Sequence, residues 1–323
     1  YAFANVNSAP ELDRQKQEVA FTIVVDPGRR VYVRRINIGG NTKTRDEVIR
    51  REIRQLESGW YDGARITKSK ERIDRLGYFE DVTVETPAVA GTIDQIDMEV
   101  KLKEKPTGNL LIGAGYSSNE GIVLSGSVNQ QNLFGSGKTL GFQVSTSKTN
   151  TIYSISTTDP YWTVDGVSRG FDIYTRETNT NPTNTGSYIS SAYGGGVRFG
   201  FPIGDDEGLH LGFSIDRTDL NVNIYSPLRY INYVLLFGPV STTYLTTLGW
   251  THDDRDSFTF PTKGVLKRAS VGVSLPTSTA AYYTATYQHQ IWLPLSAWIP
   301  GAKKWSLMLN GEISGADGYN NDP

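Results

Sequence analysis

The first stretch of this chain whose residue types suggest chemistry is NLFGSGKTLGFQVSTS, residues 132–147. Its GSGKT resembles the end of a P-loop, G-x-x-x-x-G-K-[ST], which wraps phosphates in bare backbone and then opens a helix. The first position of that motif is Asn132 here, where the P-loop requires glycine. The residues after Lys138 alternate apolar and polar, which is the period of a strand. We therefore predict a glycine-rich turn that enters a strand, and no nucleotide site.

Other catalytic and metal-binding patterns are not readable in the sequence. The three histidines are scattered without metal-ligand spacing, and Asp253, Asp254 and Asp256 beside His252 are predicted to form a charged turn. No Ser/His/Asp arrangement can be read. The absence of cysteine excludes thiolate metal sites, disulfides and cysteine nucleophiles. We expect no enzyme activity, no cofactor and no metal.

The whole-chain averages exclude further classes. A net charge of -2 gives no basic field to hold nucleic acid. No run of 18 apolar residues is present, so no transmembrane helix is predicted. Tyr1 starts inside a predicted strand and no signal peptide is visible, so we expect the natural N-terminus to lie upstream.

The two parts of the chain that must carry any site differ sharply in their content of charged residues, glycines and aromatics. Residues 1–106 contain 37 charged residues, whereas residues 107–323 contain only 29 and hold 26 of the 33 glycines and 28 of the 36 aromatics. A soluble domain needs a densely charged surface, which the second part lacks. We place a domain boundary at about residues 105–108.

The charged part reads as a small α+β module. VYVRRINI (31–38) alternates as a strand, Thr42 or Thr44 is a candidate helix N-cap, and a helical stripe runs to Gly59. A second helix from about Asp62 to Leu76 and two alternating strands follow. The segments YAFANV and QEVAFTIVV (1–25) are predicted to be the last strands of a similar, preceding unit.

The glycine- and aromatic-rich part contains about eleven segments of 8–13 residues with period-2 alternation. One face is apolar and the other is small or polar, which suits both a soluble sandwich and a membrane barrel. Few charges, aromatics near the segment ends and a polar face rich in Gly, Ser and Thr favour the barrel. The two longest connections, 177–188 and 218–242, fall on the same side, as the outer loops of such a barrel do.

Eleven strands cannot close such a barrel as the bilayer requires. Every strand edge in hydrocarbon must be paired, so an open sheet does not persist there. An odd number of strands also leaves the C-terminus on the wrong side of the membrane. We therefore expect Pro323 to end a fragment, with several strands missing.

Several segments together resemble the BamA family, the central subunits of the outer-membrane β-barrel assembly machinery of Gram-negative bacteria. RRINIGGNTKTRDEVIRREIRQLESGW and ERIDRLGYFEDV resemble the POTRA module next to the barrel. GNLLIGAGYSSNEGIVLSGSVNQQNLFGSGKTL, TDPYWTVDGVSRGF and DDRDSFTFPTKG resemble successive barrel segments. The resemblance covers essentially the whole chain.

The resemblance implies a fold and a domain plan. The fold is one or more small α+β POTRA modules followed by an antiparallel transmembrane β-barrel, with about eleven of an implied sixteen strands present. Residues 1–28 would be the C-terminal strands of a preceding POTRA module, 29–106 the module next to the barrel, and 107–323 the N-terminal part of the barrel.

The resemblance also implies a function. The protein would insert and fold client β-barrel proteins in the outer membrane without ATP, with its POTRA modules in the periplasm. Its partners would be accessory outer-membrane lipoproteins, unfolded outer-membrane clients and outer-membrane lipid, with no nucleic acid. Glu57 would dock an accessory lipoprotein; an ordinary solvated glutamate is the alternative. Clients would join a lateral seam at the first barrel strand, formed by Gly108, Asn109, Leu110, Leu111, Ile112, Gly113, Ala114, Gly115 and Tyr116.

Alternatives remain open at this point. Gly108, Gly113 and Gly115 either weaken the seam strand or are small residues facing a crowded barrel interior. For the whole protein, a secretion or translocation pore of the same superfamily is the second hypothesis, and an outer-membrane hydrolase, which no residue pattern supports, is the third.

Overall fold

A computed structural model describes residues 5–13, 18–26, 28–180, 187–204, 206–257, 260–297 and 305–319. The chain divides into two compact units, one of Tyr1–Thr107 with Gln131–Gly137 and one of Gly108–Gln130 with Lys138–Pro323. The predicted three-part domain plan, with boundaries at residues 28 and 106, stays a prediction. None of the helices in the described ranges has the length and apolar character needed to cross a membrane.

The first unit contains a hairpin and a small α+β module. Strands β1 (Asn5–Asp13) and β2 (Glu18–Asp26) pair antiparallel. The module follows the predicted order of strand, helix, helix, strand, strand. Its elements are β3 (Tyr32–Gly39), α1 (Asp46–Arg50), α2 (Gly63–Arg75), β4 (Phe79–Glu85) and β5 (Gln95–Glu104). Strand β5 lies in the middle of the sheet, parallel to β3 and antiparallel to β4.

Alternating apolar residues of the sheet and one face of each helix form the core of the module. Ile49, Ile73, Ile96 and Met98 are fully buried. Burial of each such side chain contributes about 1.5–3 kcal/mol. Helix α2 begins at the predicted place, where the Asp62 carboxylate accepts from the Ala64 amide at 3.0 Å.

The first helix is shorter than predicted, and its predicted N-cap is wrong. It ends at Arg50, its N-cap is Arg45, and Leu56 at the end of the predicted stripe is 64% exposed. After the helix, side chains take over the backbone hydrogen bonds. The Arg54 backbone amide donates to the Ser69 hydroxyl at 2.8 Å, and the Gln55 side-chain amide donates to the Trp60 carbonyl at 2.9 Å. Because Ser69 takes the Arg54 amide, the helix does not continue.

The second unit contains one sheet of eleven strands in which each strand pairs antiparallel with its sequence neighbours. This confirms the predicted strand number and the antiparallel order. The strands are β6 (Gly108–Ser117), β7 (Gly121–Gln130), β8 (Thr139–Thr146), β9 (Asn150–Asp159), β10 (Ser168–Asn179), β11 (Tyr188–Pro202), β12 (Glu207–Val222), β13 (Val240–Asp253), β14 (Gly264–Ser274), β15 (Tyr282–Pro294) and β16 (Ser306–Gly318).

One helix in this unit is absent from the sequence prediction. Helix α3 (Leu228–Phe237) lies in the connection between β12 and β13, where the sequence predicts a long connection, 218–242, and no helix. The helix starts after Pro227 and ends at Gly238, whose φ is +85°. Tyr230 of the helix packs against Tyr188, with ring centroids 4.7 Å apart.

Candidate functional site

The eleven-stranded sheet has one apolar face that runs without interruption from strand to strand. Successive side chains of a strand point to opposite faces, so cross-strand partners share a face. The apolar face carries, one from each strand, Ile112, Leu124, Phe142, Ile155, Ile173, Tyr193, Phe213, Leu248, Val271, Tyr287 and Ile313.

The apolar face is open. Among the residues just named, Ile112 is 82% exposed, Ile173 is 65% exposed and Ile313 is 77% exposed. A soluble sandwich would bury such a face against a second sheet about 10 Å away. The described residues of the second unit form this one sheet, so the unit itself supplies no second sheet to cover the face. The exposed surface therefore needs an apolar environment from outside the chain.

Charged residues bound the apolar face in a band of defined height. Along β12 the face runs from Glu207, through four apolar residues, to Arg217. Ten residue steps of about 3.4 Å at a strand tilt of about 40° cover about 26 Å, close to the ~25 Å apolar band of outer-membrane barrels. At the Glu207 end, His252 and Lys267 follow on the two next strands in register. The band therefore has the height of a bilayer core.

The opposite face is polar or small, as predicted. One row of cross-strand neighbours contains Ser127, Gln143, Ser154, Tyr174, Gly194, Asp216 and Thr243. Its polar groups bind each other: the Tyr174 hydroxyl donates to Asp216, and Arg198 lies 3.4 Å from Asp172. The sheet thus separates an apolar surface from a hydrated one.

The predicted seam strand is an edge strand. Strand β6, which contains every residue predicted for the seam, ends the strand order and pairs only with β7 within the described part of the chain. Leu110, Leu111, Ile112 and Tyr116 are all more than 60% exposed. About half of the amide and carbonyl groups of a ten-residue strand point to each side. The free side therefore offers about ten backbone groups for pairing.

The β6 glycines differ in their surroundings. A Cβ on Gly113 would lie 2.7 Å from the Ser125 hydroxyl, and one on Gly108 would lie 2.5 Å from the Gln130 amide oxygen. A Cβ on Gly115 would meet nothing within 4 Å. The atom nearest to an added Cβ at Gly108 and Gly113 is the end of a neighbouring side chain that can move, so both alternatives for these glycines stay open.

The P-loop-like stretch forms a turn and then strand β8, which starts at Thr139. No helix follows Lys138, and its ammonium lies 3.0 Å from Asp159. This context lacks the phosphate-binding features of a P-loop. The turn itself, Gln131–Gly137, belongs to the same compact unit as the α+β module.

Asn132 holds this turn on the module. It has left-handed backbone angles, with φ of 51°, and is 7% exposed. Its amide nitrogen donates to the Thr44 hydroxyl at 2.7 Å, and its amide oxygen accepts from the Gly137 amide at 2.8 Å. The Arg45 amide donates to the Gly135 carbonyl at 3.0 Å. A Cβ on Gly135 would lie 1.9 Å from the Lys43 carbonyl oxygen, so only glycine fits there.

The segment that receives this turn is fixed by Glu104 at the end of β5. Its carboxylate accepts from the Thr44 amide at 2.6 Å, and from the Lys43 amide and the Thr42 hydroxyl at 2.9 Å each. Partial burial raises the pKa of Glu104, but these three donors outweigh it and the pKa falls to about 2. Thr42 and Thr44 therefore bind Glu104 and Asn132 instead of capping a helix.

Glu57, predicted to dock a lipoprotein, lies beyond the first helix and not at its end. One of its carboxylate oxygens accepts from the Ile36 amide at 2.8 Å, and Arg50 lies 3.6 Å away. The Glu57 side chain is 49% exposed. One oxygen is thus bound within the module, and the exposed part of the carboxylate can receive a partner's cation.

The acidic turn near His252 shows internal pairing. Arg255 binds Asp253 through two nitrogens, both at 2.7 Å, and His252 lies 3.2 Å from Glu207. Within the described residues, no group of three or more His, Cys, Asp or Glu side chains could hold a metal ion.

Comparison with known families gives two matches. A model of the Omp85 superfamily domain matches residues 132–323. A POTRA model, described as surface antigen variable number repeat, matches residues 31–105.

Two similar proteins from different bacteria have the same name. The chain is 36% identical, over 99% of its length, to outer membrane protein assembly factor BamA of Neisseria meningitidis serogroup B, and it spans 40% of that protein. The protein of the same name from Nitratidesulfovibrio vulgaris is 31% identical over 68% of this chain and 27% of its own length. The chain thus spans less than half of these relatives.

Solved structures show the same fold. BamA from Haemophilus ducreyi lacking POTRA domains 1–3 superimposes with a TM-score of 0.73 at 29% identity, over 99% of this chain and 62% of that chain. CdiB from Acinetobacter baumannii, at 13% identity and a TM-score of 0.58, covers 99% of this chain and 57% of its own and shares the fold alone.

Proposed function

The chain belongs to the Omp85 superfamily, and from this premise we propose that it is part of an outer-membrane insertase. The whole protein folds client β-barrel proteins and inserts them into the outer membrane without ATP. The observation that carries this proposal is an edge strand, β6, at one end of a sheet whose apolar face has the height of a bilayer core. The relatives named as assembly factors favour this function over a secretion pore.

In this proposal, the apolar face of the sheet contacts lipid. Arg217 and Glu207 mark the two ends of the apolar band on β12. The polar face lines a hydrated interior, and the POTRA modules lie in the periplasm. Residues 1–28 end a preceding module, 29–106 form the module next to the barrel, and 107–323 form part of the barrel.

A client strand adds to β6 by backbone hydrogen bonding. In this proposal the seam beside β6 opens in the whole protein, and the unpaired amides and carbonyls on that side of β6 are then costly in hydrocarbon, at several kcal/mol each. A client strand that pairs with them removes this cost, so strand addition releases free energy without nucleotide hydrolysis. The GSGKT turn leads into a strand and not into a helix, which supports a mechanism without ATP. Gly115, with open space around its Cα, keeps the edge flexible.

Glu57 is the proposed contact for an accessory lipoprotein. Its carboxylate is held in place by the Ile36 amide and remains half exposed. Glu57→Gln keeps an acceptor for that amide and removes the charge. We expect this variant to retain less lipoprotein on co-purification from the outer membrane. Glu47→Gln, which changes a glutamate with 70% side-chain exposure, is the control and should retain the wild-type amount.

The insertase proposal is tested with the full-length protein in liposomes. Urea-unfolded porin is added without nucleotide, and its folding is followed by heat-modifiable gel migration. We expect faster porin folding than in empty liposomes. Equal rates would refute the insertase function.

The site of client addition is tested by disulfide trapping. Leu111→Cys places a thiol on β6, and Gln143→Cys places one on β8, which is paired on both sides. A porin with a single cysteine in its last strand should trap with the β6 variant only. Equal trapping by both variants would reject β6 as the client site.

A further inference from the structure

An arginine lies at one end of the apolar face of the sheet. Arg169 is the second residue of β10, and its cross-strand partner Phe199 belongs to the apolar face. Because neighbouring strands run antiparallel, β10 starts at the same side of the sheet as β6, where the chain enters at Gly108. On the same face of β10, Glu177 lies eight residue steps farther along, or about 21 Å at a tilt of about 40°. Arg169 therefore marks the entry-side end of the apolar band.

Two aromatic rings hold the guanidinium of Arg169. Its central carbon lies 4.8 Å from the ring centre of Trp162 and 5.1 Å from that of Phe171. Trp162 packs in turn against Phe199, with ring centroids 5.6 Å apart, and its backbone amide donates to the Val167 carbonyl at 2.9 Å. Rings on its faces orient an arginine and leave the edge of its guanidinium for hydrogen bonding. Arg169 is thus preorganised to bind an anion.

The structure places no anion on this guanidinium. Its Nε is enclosed and has no hydrogen-bond partner within the described residues, whereas the side chain as a whole is only half-buried. Asp159 is the cross-strand partner of Arg169, but its carboxylate accepts from the Tyr161 amide at 3.2 Å and lies 3.0 Å from the Lys138 ammonium. In the described part of the chain, no carboxylate lies within ion-pair distance of Arg169. An unpaired charge at the edge of a bilayer core is costly, so a partner from outside the chain is favoured.

The anion available at this depth is a lipid phosphate. In the proposed orientation the entry side faces the periplasm, and the leaflet on that side of the outer membrane consists of glycerophospholipids. We propose that Arg169, held between Trp162 and Phe171, binds the phosphate diester of one glycerophospholipid from this leaflet. Arginine binds phosphate through two parallel hydrogen bonds, and the acyl chains then lie along the apolar residues of β10.

The site rests on the proposed function, because it requires the apolar face to contact lipid and the entry side to face the periplasm. It adds one specifically bound lipid to a surface otherwise assigned only to bulk bilayer. An acidic residue of an accessory lipoprotein is the other candidate anion. The position of Arg169 inside a strand, with Phe171 and Phe199 beside it on the apolar face, favours the lipid.

The test counts the lipids that remain bound to the full-length protein. The protein is released from nanodiscs of equal parts dioleoylphosphatidylglycerol and digalactosyldioleoylglycerol, which has the same acyl chains and no phosphate, and retained lipids are counted by native mass spectrometry. We expect wild type to retain one phospholipid that Arg169→Gln does not, enriched about fivefold over the galactolipid. Arg169→Lys keeps the charge without the planar fork and should retain an intermediate amount. Arg176→Gln, on the polar face of the same strand, is the control and should match wild type.

Two further comparisons test the geometry of the site. Phosphatidylethanolamine in place of phosphatidylglycerol should give the same enrichment, because the two lipids share the phosphate diester. Trp162→Leu and Phe171→Leu keep the charge of Arg169 and remove a ring, so both should lower the retention of phospholipid. Phe213→Leu makes the same change elsewhere on the apolar face and should match wild type. Heat-modifiable migration verifies that each variant is folded.

The outcomes separate this site from the proposed function. Equal phospholipid retention in wild type and Arg169→Gln would overturn the site. An Arg169→Gln protein that keeps its lipid but loses a co-purified lipoprotein would also overturn it and would assign Arg169 to a protein partner. Porin folding, measured on the same wild-type preparation, tests the function independently. A protein that folds porin but shows no enrichment of phospholipid would refute the lipid site alone.

Discussion

Replacing Asn132 should increase the population of molecules in which the turn at residues 131–137 is open, and the size of this increase follows from the contacts of Asn132. Asn132→Ala removes two side-chain hydrogen bonds, to the Thr44 hydroxyl and from the Gly137 amide. Each contributes about 1 kcal/mol, because the groups left behind are buried. The left-handed backbone at this position, with φ of 51°, also costs alanine about 1 kcal/mol. The expected loss is about 3 kcal/mol in the free energy that opposes opening, or roughly a hundredfold in the open population.

Hydrogen exchange of the full-length protein measures this opening directly. The amides of Gly135 and Arg45, which donate to backbone carbonyls within the closed turn, should exchange roughly a hundredfold faster in Asn132→Ala. Asn132→Gly should lie about 1 kcal/mol closer to wild type, because glycine adopts the left-handed region freely. Asn129→Ala on exposed β7 is the control and should leave both amides unchanged. Less than a threefold change in Asn132→Ala would refute the assignment of Asn132 as the residue that holds the turn.

Three further predictions concern Gly135, Glu104 and Ile155. Gly135→Ala should open the turn more than Asn132→Ala does, because the added Cβ would lie 1.9 Å from a carbonyl oxygen and the φ of Gly135 is +72°. Amide exchange no faster than in Asn132→Ala would contradict this. The stability that Glu104 gives the module should be intact above about pH 4.5 and should fall as the pH drops toward about 2, because the pKa of Glu104 is lower in the folded state than in the unfolded state. Urea unfolding at several pH values measures this loss, and Glu104→Gln should not show it. Ile155→Arg, in mid-strand on the apolar face, should lower the free energy of unfolding in bilayers by about 2–4 kcal/mol, as measured by urea titration. Ser154→Arg on the polar face should lower it much less. Equal losses would contradict the assignment of the two faces.

The strand pattern was predictable because its signal is local. Each strand of the second unit shows period-2 alternation within its own residues, so the number of strands and the two faces follow from the sequence. Alternation alone does not decide whether the apolar face meets lipid or another sheet. The structure adds the missing observation, since side chains such as Ile112 and Ile173 lie open on an uncovered face.

Features that depend on distant partners were not predictable. The left-handed turn at Asn132 is held by Thr44, which is 88 residues away in the chain. The first helix ends early because Ser69, from α2, takes the Arg54 amide. Helix α3 did carry local signals, a proline before it and a glycine after it, but only two of its ten residues, Arg229 and Asn232, are polar, so its polar face is narrow.

The central claim, that one face of this sheet lies against lipid, is tested most directly by spin labels along a single strand. This chain has no cysteine, so once any cysteine elsewhere in the full-length protein is replaced, a cysteine can be placed in turn at Tyr153, Ser154, Ile155 and Ser156 of β9 and labelled with a nitroxide. In liposomes, labels at 153 and 155 should collide with oxygen dissolved in the bilayer, and labels at 154 and 156 with a water-soluble nickel chelate. Four labels with the same accessibility, or the reverse alternation, would contradict it.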